Sequence, residues 1–579
     1  MEAQKKNCKN CKKDFIIESE DFNFYEKIKV PPPTFCPWCR FIRRMAWRNE
    51  RSLYKRTCDL CKKNIIAMYP EDVPFPVYCR ECWYGDGWDS VTYGRDYDFS
   101  KSFFEQLKEL FCSVPHIALW QRNSINSDYS NWVAESRNVY LSASVVENSE
   151  NVFYSKSVDG SKDIIDSYNL KKSEQCYQNV DCEKNYNSQF LYLSRNCIDS
   201  YFLIDSANCS NCFMSSNLRN KQYIFRNKQY SREAYLEELE KLNLGSRSSQ
   251  SGLTTEFDNL KKNAIFRYAN NLKCVDSFGN NLFNNKNCQL CFDIYDSENS
   301  KYCYRTLEMK DSMDFNFGGW SELIYEYISG MNSSSSVKFS SSCMTDLRDV
   351  EYSHSLLSSA NIFGCFGMKN KKYFILNKQY SKEDFIVMRE KIIKHMDEMP
   401  YIDKKGRIYK YGEFFPIELS PHAYNETLAQ EFLPITKEEA TKFGYDWRDQ
   451  EEKNLAITLS ADKIPDDIKN VDEKILEEVL RCIHESKCEH QCSSQYRITQ
   501  GELQFYKKHN IPLPDWCPNC RYYERFAQVP KPILYHRKCM CDKENHNHAL
   551  KCEIEFETPY APERTEKIFC ESCYNKEVY

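Results

Sequence analysis

Cysteine pairs three positions apart stand out at both ends of this chain of 579 residues, which contains 30 cysteines. Two thiolates placed across a tight turn can provide half of a tetrahedral zinc shell, and a second pair completes it. The N-terminal pairs are Cys8/Cys11, Cys36/Cys39, Cys58/Cys61 and Cys79/Cys82. Their order predicts two successive four-cysteine zinc sites. Disulfides are the less favoured alternative, because the charged N-terminus does not read as the signal peptide of an exported chain.

The C-terminal block repeats the first block at a constant offset of 481 residues. The phrase FCPWCRFIRR at residues 35–44 returns as WCPNCRYYER at residues 516–525. An offset that holds over dozens of residues indicates an internal duplication. The cysteines carried over by this offset are Cys11, Cys36, Cys39 and Cys58, which become Cys492, Cys517, Cys520 and Cys539.

The copied block departs from the regular spacing in two places. One pair is Cys488/Cys492, with His490 as a substitute between its members, and another is Cys539/Cys541. The predicted ligands of this block are Cys488, Cys492, Cys517, Cys520, Cys539, Cys541, Cys570 and Cys573, with His546, His548 or Cys552 able to replace one thiolate of the last site. Because protein ligands fill all four positions of each site, no position is left open for water or substrate, and we expect about four structural zinc ions per chain.

Composition and motif searches narrow the function further. The chain has 16 glycines and neither a GxGxxG nor a GxxxxGK[ST] sequence, so it is not expected to bind a nucleotide cofactor. It has ten histidines, no HExxH and no GxSxG, so we lean against an enzyme. No stretch approaches the roughly 18 apolar residues of a membrane helix, and together with the charged N-terminus this predicts a cytoplasmic protein.

Between the two blocks the sequence becomes a series of short segments rich in Asn, Ser, Asp, Cys and aromatic residues. Segments such as NVFYSKSV (151–158), NCIDSYFL (196–203) and NCQLCFDI (287–294) begin roughly every 11–13 residues. Short strands joined by polar turns at such a repeat favour a parallel β-solenoid with a period of about 23 residues. An ordinary β-sandwich is the alternative.

The solenoid is predicted to have two halves that end alike. The segment LRNKQYIFRNKQYSREAY (218–235) is echoed by MKNKKYFILNKQYSKEDF (368–385), and a helix is predicted after each. The second helix has Ser381 as its N-cap, and Thr436 and Glu439 have the spacing of a capping box. The serine-rich run at residues 245–252 is predicted to be a loop that joins the halves.

These elements predict a mainly β fold in which two duplicated zinc-ribbon-like terminal blocks flank a long parallel β-solenoid with a few short helices. The predicted domains are a tandem zinc-ribbon-like block at 1–95, a first solenoid half at 96–245, a second half at 246–400, a connector of helices and loops at 401–480, and a C-terminal tandem block at 481–579. Each solenoid half includes its closing helix.

Several longer motifs resemble a known group of proteins. They are CPxCR followed by LYKRxCxxC, NKQYxKEx(Y/F), YGEFFP followed by SPxxYNET, and FETPYAPER followed by FCESCYNKEVY. Across essentially the whole chain these motifs resemble large zinc-ribbon proteins found in genomes of candidate phyla radiation bacteria. The resemblance implies zinc binding through cysteines and supplies no catalytic residues. The spacing of Cys488 and Cys492 departs from the CxxC of that group.

The segment RFIRRMAWRNERSLYKR at residues 40–56 is strongly basic within a chain whose formal net charge is −5. On one continuous helix, five of its basic residues would lie within about 80° of one face. They are Arg40, Arg44, Arg48, Arg51 and Lys55. Such a cationic stripe is suited to phosphate backbones, so we predict nucleic-acid contact through these residues. The alternative is that the arginines pair with acidic groups elsewhere in the protein.

Three aspartates raise a second functional hypothesis. Asp166, Asp199 and Asp276 recur in (Ile/Val)-Asp-Ser-(Tyr/Phe) segments and could line one edge of a solenoid that binds or cleaves carbohydrate. A ladder of turns capped by Asp and Ser is the more ordinary interpretation. The pairs Cys209/Cys212 and Cys288/Cys291 are likewise interpreted as small core residues, with an extra metal site as the alternative.

The function predicted from the sequence is thus a zinc-binding, non-enzymatic binding or scaffold protein that contacts nucleic acid through its N-terminal block. A carbohydrate-active β-helix and a pure protein-interaction scaffold are the alternatives. The predicted partners are RNA or DNA and other proteins, and no membrane association is expected.

Overall fold

The computed structural model describes residues 2–330, 332–449, 456–544, 546, 548 and 551–579. The chain forms two compact units, each assembled from separate stretches of sequence. The first comprises Met1–Leu119, Ala269–Asp449 and Pro532–Leu534, and the second comprises Trp120–Tyr268, Gln450–Lys531 and Tyr535–Tyr579. Each unit therefore combines one terminal cysteine block with one large sheet. The five-part division of the chain stays a prediction.

The protein is mostly β, and its two large sheets are parallel and curled. Within the described residues, the sheet of the first unit has eleven strands, of which only the last two pair in antiparallel fashion. These strands are Asn271–Leu272, Phe278–Phe283, Lys286–Tyr295, Glu298–Lys301, Tyr304–Glu322, Tyr325–Ile328, Ser334–Ser341, Arg348–Glu351, Ala360–Phe363, Lys372–Ile375 and Lys378–Gln379.

The sheet of the second unit has fifteen strands in the part of the chain that is described, again parallel up to a final antiparallel pair. They are Gln121–Arg122, Asn131–Ala134, Arg137–Tyr140, Ala143–Val146, Glu150–Phe153, Lys156–Asp159, Lys162–Ile165, Tyr168–Lys171, Glu174–Tyr177, Val180–Glu183, Tyr186–Tyr192, Tyr201–Ile204, Ser210–Ser216, Gln222–Phe225 and Lys228–Gln229.

Strand pairing fixes the length of the repeat. Ala143 lies opposite Lys156, which lies opposite Tyr168, so paired residues are 13 and 12 positions apart. The predicted period of about 23 residues is therefore wrong, because one pairing step already contains two short strands. A segment that looked like one strand in the sequence, such as residues 151–158, holds parts of two strands.

The backbone of the second unit's sheet has a regular conformation with a period of three. Every third residue from Asn151 to Arg226 has a positive φ. Asn and Asp enter this left-handed region more readily than other non-glycine residues, which explains how so many turns form in a chain with few glycines. Their side chains also pair along the turns, since Asn151 Nδ2 donates to Asp163 Oδ1 at 2.7 Å. Asn and Asp side chains thus form a ladder along these turns.

The interior of this sheet alternates between apolar residues and serine, as in the buried Val152, Ser155 and Val158. Ser155 Oγ accepts a hydrogen bond from the backbone N–H of Ser167 at 2.9 Å. It also donates to the backbone carbonyl of Phe153 at 2.9 Å. A buried hydroxyl that is paired in both roles avoids the cost of an unsatisfied polar group.

Cysteines take many of the apolar positions inside both sheets. Cys209 and Cys212 in the second unit, and Cys288 and Cys291 in the first, are buried in the respective hydrophobic cores. Their interpretation as small core residues is confirmed. All 30 cysteines lie in the described residues, and none of them forms a disulfide.

Helices lie mainly outside the two sheets. The α-helices of the described residues are Ser19–Lys27, Pro37–Met45, Arg80–Tyr84, Phe103–Ser113, Arg232–Glu240, Arg247–Asn263, Lys382–Glu398, Leu428–Phe432, Lys437–Phe443, Gln500–Lys508, Pro518–Phe526 and Glu571–Val578. Short strand pairs outside the large sheets and the cysteine hairpins join Val77–Tyr78 to His116–Ile117, Ile265–Arg267 to Lys567–Phe569, and Tyr401–Ile402 to Ile408–Tyr409. No helix among the described residues is long and apolar enough to cross a membrane.

The predicted helix starts can be compared with these bounds. Ser381 is the N-cap of Lys382–Glu398, and Thr436 forms a capping box with Glu439, as predicted. The serine-rich run at 245–252 is not a loop. Ser246 caps the helix Arg247–Asn263 by accepting a hydrogen bond from the Ser249 N–H, so most of the run forms the first turns of that helix.

Two glycine substitutions should have opposite effects on stability. Gly279 has a φ of 154°, and an added Cβ would lie 1.8 Å from the carbonyl oxygen of Cys291. Gly279→Ala should therefore destabilise the protein by about 1–3 kcal/mol or more. Gly252 lies within the helix Arg247–Asn263 with no neighbouring atom within 4 Å of an added Cβ. Gly252→Ala should stabilise the protein by about 0.5–1 kcal/mol. Urea unfolding followed by circular dichroism measures both effects, and shifts of the same sign would contradict the described backbone.

Candidate metal centres

Four groups of cysteines share one local architecture, which we call the first to fourth centres. In each, the first cysteine directly follows the first strand of an antiparallel hairpin, and the third cysteine is the N-cap of a helix. The hairpins are Gln4–Asn7/Asp14–Ile17, Tyr54–Thr57/Asn64–Ala67, Leu480–Arg481/Gln495–Tyr496 and Tyr535–Lys538/Glu555–Thr558. The four sets are Cys8, Cys11, Cys36 and Cys39; Cys58, Cys61, Cys79 and Cys82; Cys482, Cys492, Cys517 and Cys520; and Cys539, Cys552, Cys570 and Cys573.

The sulfur atoms of each centre are spaced as a metal requires. All four lie within 4.8 Å of one another. The second and third sulfurs are separated by the same distance, 3.8 Å, in every centre. A tetrahedron with Zn–S bonds of about 2.3 Å has edges of about 3.8 Å, so the donor set fits zinc.

A backbone N–H donates to the sulfur of the first cysteine in each centre. The N–H of the third cysteine donates to this sulfur at 3.2–3.3 Å in all four centres. The hydrogen bond with Cys36 lowers the pKa of Cys8, and the backbone N–H of Lys63 lowers the pKa of Cys61 to about 7. A hydrogen bond with Cys482 likewise lowers the pKa of Cys517. The thiolate is the metal-binding form, so these contacts favour a cation at Cys8, Cys61 and Cys517. In contrast, the hydrogen bond with Cys517 raises the pKa of Cys482 to about 12, and burial raises that of Cys539 to about 12.

The structure brings together all eight cysteines predicted for the N-terminal block, but it changes one member of each C-terminal set. Cys482 takes the position predicted for Cys488, because its sulfur accepts the hydrogen bond from the Cys517 N–H just as Cys8 accepts that from Cys36. An insert between the first and second ligands explains the difference. Cys8 and Cys11 are three positions apart, whereas Cys482 and Cys492 are ten apart.

In the fourth centre Cys552 replaces the predicted Cys541 within the four-cysteine group. Here the first and second ligands, Cys539 and Cys552, are 13 positions apart. Cys541 Sγ instead lies 3.0 Å from His546 Nδ1. In every centre the second strand of the hairpin starts three residues after the second ligand.

The arginines of the predicted cationic stripe do not form an exposed surface. The helix that starts after Cys36 ends at Met45, so the stripe is not continuous. Arg40, Arg44 and Arg48 are all at most 3% exposed. Arg48 Nε donates to Glu50 Oε1 at 2.7 Å. The prediction that these three arginines neutralise nucleic-acid phosphates is therefore wrong, whereas Arg51 is half-buried and Lys55 is exposed on a hairpin strand.

The arginines of the helix Pro37–Met45 form ion pairs with buried carboxylates on the sheet of the same unit. Asp314 accepts from both Arg40 and Arg44, with N–O distances of 2.7 and 2.9 Å. Glu326 accepts from both Arg43 and Arg44, with N–O distances of 2.9 and 2.8 Å.

Glu413 completes this group, which we call the arginine cluster: Arg40, Arg43, Arg44, Asp314, Glu326 and Glu413. Glu413 Oε2 accepts from Arg43 Nη1 at 3.1 Å, so three positive and three negative groups balance. Burial by itself raises the pKa of Glu326, but the nearby arginines outweigh it and hold that pKa below its usual value. Pairing with acidic groups, which was the alternative for the basic segment, is the arrangement found.

The second unit repeats this contact in reduced form. Arg521 and Arg525 correspond to Arg40 and Arg44 under the offset of 481 residues. They bind the two oxygens of the buried Asp166 at 2.6 and 2.9 Å. Arg521 also lies 3.7 Å from Glu502 Oε1.

The carboxylates of the carbohydrate hypothesis do not form a shared edge. Asp166 is fully buried and paired with arginines, so it cannot reach a substrate. Asp199 Oδ1 accepts a hydrogen bond from Asn187 at 2.6 Å, and Asp276 belongs to the other unit. All three have a positive φ, as the turn interpretation expects.

Three buried histidines of the first unit fit structural roles. His116 Nε2 is 2.9 Å from the Phe111 carbonyl, and His354 Nδ1 is 2.7 Å from Ser341 Oγ. Burial lowers the pKa of His116 to about 4 and that of His422 to about 3. A cavity of about 410 Å³ lies beside His422.

Breaking the arginine cluster should cost far more than breaking a surface pair on the same strand. Asp314→Ala leaves Arg40 and Arg44 buried without their shared partner, so the free energy of unfolding should fall by about 3–5 kcal/mol. Asp311→Ala is the matched control, since Asp311 pairs at 2.8 Å with a half-exposed Lys27. That change should cost about 1 kcal/mol or less. Guanidinium unfolding compares the variants, and equal losses would contradict a dominant role for the cluster.

Comparison with models of known protein families and with curated proteins found no match to this chain. The function is therefore inferred from the cysteine centres and from the contacts that they position.

Proposed function

We propose that this protein is a non-catalytic scaffold whose four cysteine centres bind structural zinc. The observation that carries the proposal is the direct link between the first centre and the arginine cluster. Cys36 and Cys39 occupy the N-cap and first turn of the helix Pro37–Met45, and the next turns carry Arg40, Arg43 and Arg44. A metal at the first centre would fix the start of the helix and therefore the direction in which these arginine side chains point.

The donor sets support a structural role for the metal. Four thiolates fill a tetrahedral shell and leave no position for water or substrate. Four thiolates this close repel one another without a cation, so metal binding and folding should be coupled. Zinc-finger peptides gain about 10–16 kcal/mol of apparent binding energy in this way.

The fold interpretation belongs to the same proposal. Parallel pairing at a step of 12 or 13 residues, with two strands per step, supports two β-solenoids with short coils. A hairpin and a helix N-terminus around each four-cysteine group support zinc-ribbon-like modules. Both interpretations agree with the resemblance to large zinc-ribbon proteins.

Protein partners are favoured over nucleic acid for this scaffold. Of the predicted stripe, Arg40 and Arg44 are paired inside the protein with Asp314 and Glu326, and Arg48 is paired with Glu50. One ladder on the second unit's sheet carries both signs of charge, since the exposed Arg137 pairs with the half-buried Glu150 at 2.7 Å. Charges paired in this way are less available to phosphates.

Removal of the first centre should weaken the first unit as a whole. Cys36→Ser with Cys39→Ser should lower the zinc content of the full chain by one and lower its unfolding midpoint, because the arginine helix loses its fixed start. Cys112→Ser is the matched control, since Cys112 lies in the same unit outside the four centres. Elemental analysis and denaturant unfolding measure the two effects. A chain that purifies without zinc, or that unfolds unchanged after chelation, would sink the proposal.

A further inference from the structure

The insert of the third centre carries three residues with no counterpart in the first centre. It lies between Cys482 and Cys492 and is seven residues longer than the CxxC of Cys8 and Cys11. The three residues are His484, Cys488 and His490, and all of them favour zinc as ligands.

These residues converge on a cysteine that already belongs to the third centre. One ligand atom from each of His484, Cys488, His490 and Cys520 lies within 4.8 Å of the others. Cys488 Sγ is 3.6 Å from Cys520 Sγ. Cys520 Sγ is in turn 3.5 Å from Cys517 Sγ and 3.9 Å from Cys482 Sγ. Cys520 therefore belongs to two groups of four possible ligands each.

The two histidines have buried nitrogen atoms that need a partner. Among the described residues, Nδ1 of His484 and Nδ1 of His490 are enclosed and have no hydrogen-bond partner. Buried polar atoms are rarely left unpaired, and each exception calls for an explanation such as an ion. Aromatic rings hold both imidazoles in place, because His484 packs on Trp516 at 4.7 Å and His490 stacks on Tyr523 at 6.0 Å.

We propose that the third centre binds two zinc ions that share the thiolate of Cys520. One ion takes Cys482, Cys492, Cys517 and Cys520, and the other takes His484, Cys488, His490 and Cys520. Seven residues thus complete two tetrahedral shells with no open position.

Charge favours the second ion. A lone zinc with four thiolates has a net charge of −2, and an unpaired thiolate at Cys488 would add to it. A second Zn²⁺ brings the five thiolates and two neutral imidazoles to a net charge of −1. The second ion therefore reduces the negative charge that the surrounding protein must stabilise.

The fourth centre contains the same trio in its own insert. Cys541, His546 and His548 lie between Cys539 and Cys552. Cys541 Sγ is 3.0 Å from His546 Nδ1, and His548 Nε2 is 3.6 Å from Cys573 Sγ. Cys573 is the fourth ligand of its centre, as Cys520 is of the third, and His546 Nε2 also lies 2.9 Å from Glu577 Oε1. On these pairwise contacts the proposal extends to the fourth centre by analogy with the third.

The zinc content of the full chain tests this inference, which rests on the proposed structural zinc. Native mass spectrometry of the zinc-saturated, desalted protein should give six ions per chain. A count of four would overturn the two-metal centres and leave the proposed function standing, whereas a count of zero would overturn both. A count of five would overturn the two-metal assignment for one of the two centres. That centre is the one whose histidine variant, described below, still binds five ions.

Histidine variants assign each additional ion. His484→Ala with His490→Ala should lower the count by one, and so should His546→Ala with His548→Ala. His536→Ala is the matched control, because His536 is exposed on the fourth-centre hairpin and pairs with Glu555 and Glu557. It should keep six ions, and a double variant that also keeps six would overturn the assignment.

Zinc X-ray absorption spectroscopy of the unmodified chain tests the proposal without relying on the variants being correctly folded. Two Zn–S bonds of about 2.3 Å to one shared sulfur limit the zinc–zinc separation to about 4.6 Å. A zinc–zinc scattering path within that limit is expected, together with imidazole ligands. A spectrum described by sulfur ligands alone would contradict the proposal.

Discussion

The buried neutral arginine cluster is the interaction on which the first unit depends. Three guanidinium groups and three carboxylates out of contact with water are stable only when every charge has a partner in good geometry. The helix that carries Arg40, Arg43 and Arg44 must therefore start at a fixed place and angle. Cysteines of the first centre lie at the N-cap and in the first turn of that helix, so this cysteine group and the arginine cluster depend on the same helix start. The second unit uses a smaller version built from Arg521, Arg525 and Asp166.

The interiors of the two sheets explain why helices and hairpins of the cysteine blocks pack against them. Their repeat is short, and in the second unit many interior positions are serines between small apolar residues. Hydrogen bonds such as that from the Ser167 N–H to Ser155 Oγ keep this polar interior satisfied and hold the register. Net stability from paired hydroxyls is modest compared with apolar burial. The helices and hairpins of the cysteine blocks therefore add a second core on one side of each sheet.

Sequence reasoning was most successful where local spacing decides the structure. The regular CxxC pairs of the first two centres, the parallel sheet, and the caps at Ser381 and Thr436 all follow from neighbouring residues. Cys482 was missed because an insert separates it from Cys492, and Cys552 was named only as a substitute ligand of the last site. The start of the second hairpin strand marks Cys552, but it does not mark Cys482, which is a first ligand. The burial of Arg44 could not be predicted from neighbouring residues, since its partners Asp314 and Glu326 lie about 270–280 positions away in sequence.

The long separation along the chain within each unit has a consequence for synthesis on the ribosome. The arginine helix emerges near residue 45, but its last acidic partner, Glu413, is made roughly 20–70 s later at about 5–20 residues per second. The sheet of the second unit waits in the same way for Arg521 and Arg525 after Asp166 has been made. Neither cluster can close early: the arginines of the first unit stay unpaired until Glu413 has been made, and Asp166 of the second unit stays unpaired until Arg521 and Arg525, near the end of the chain, have been made.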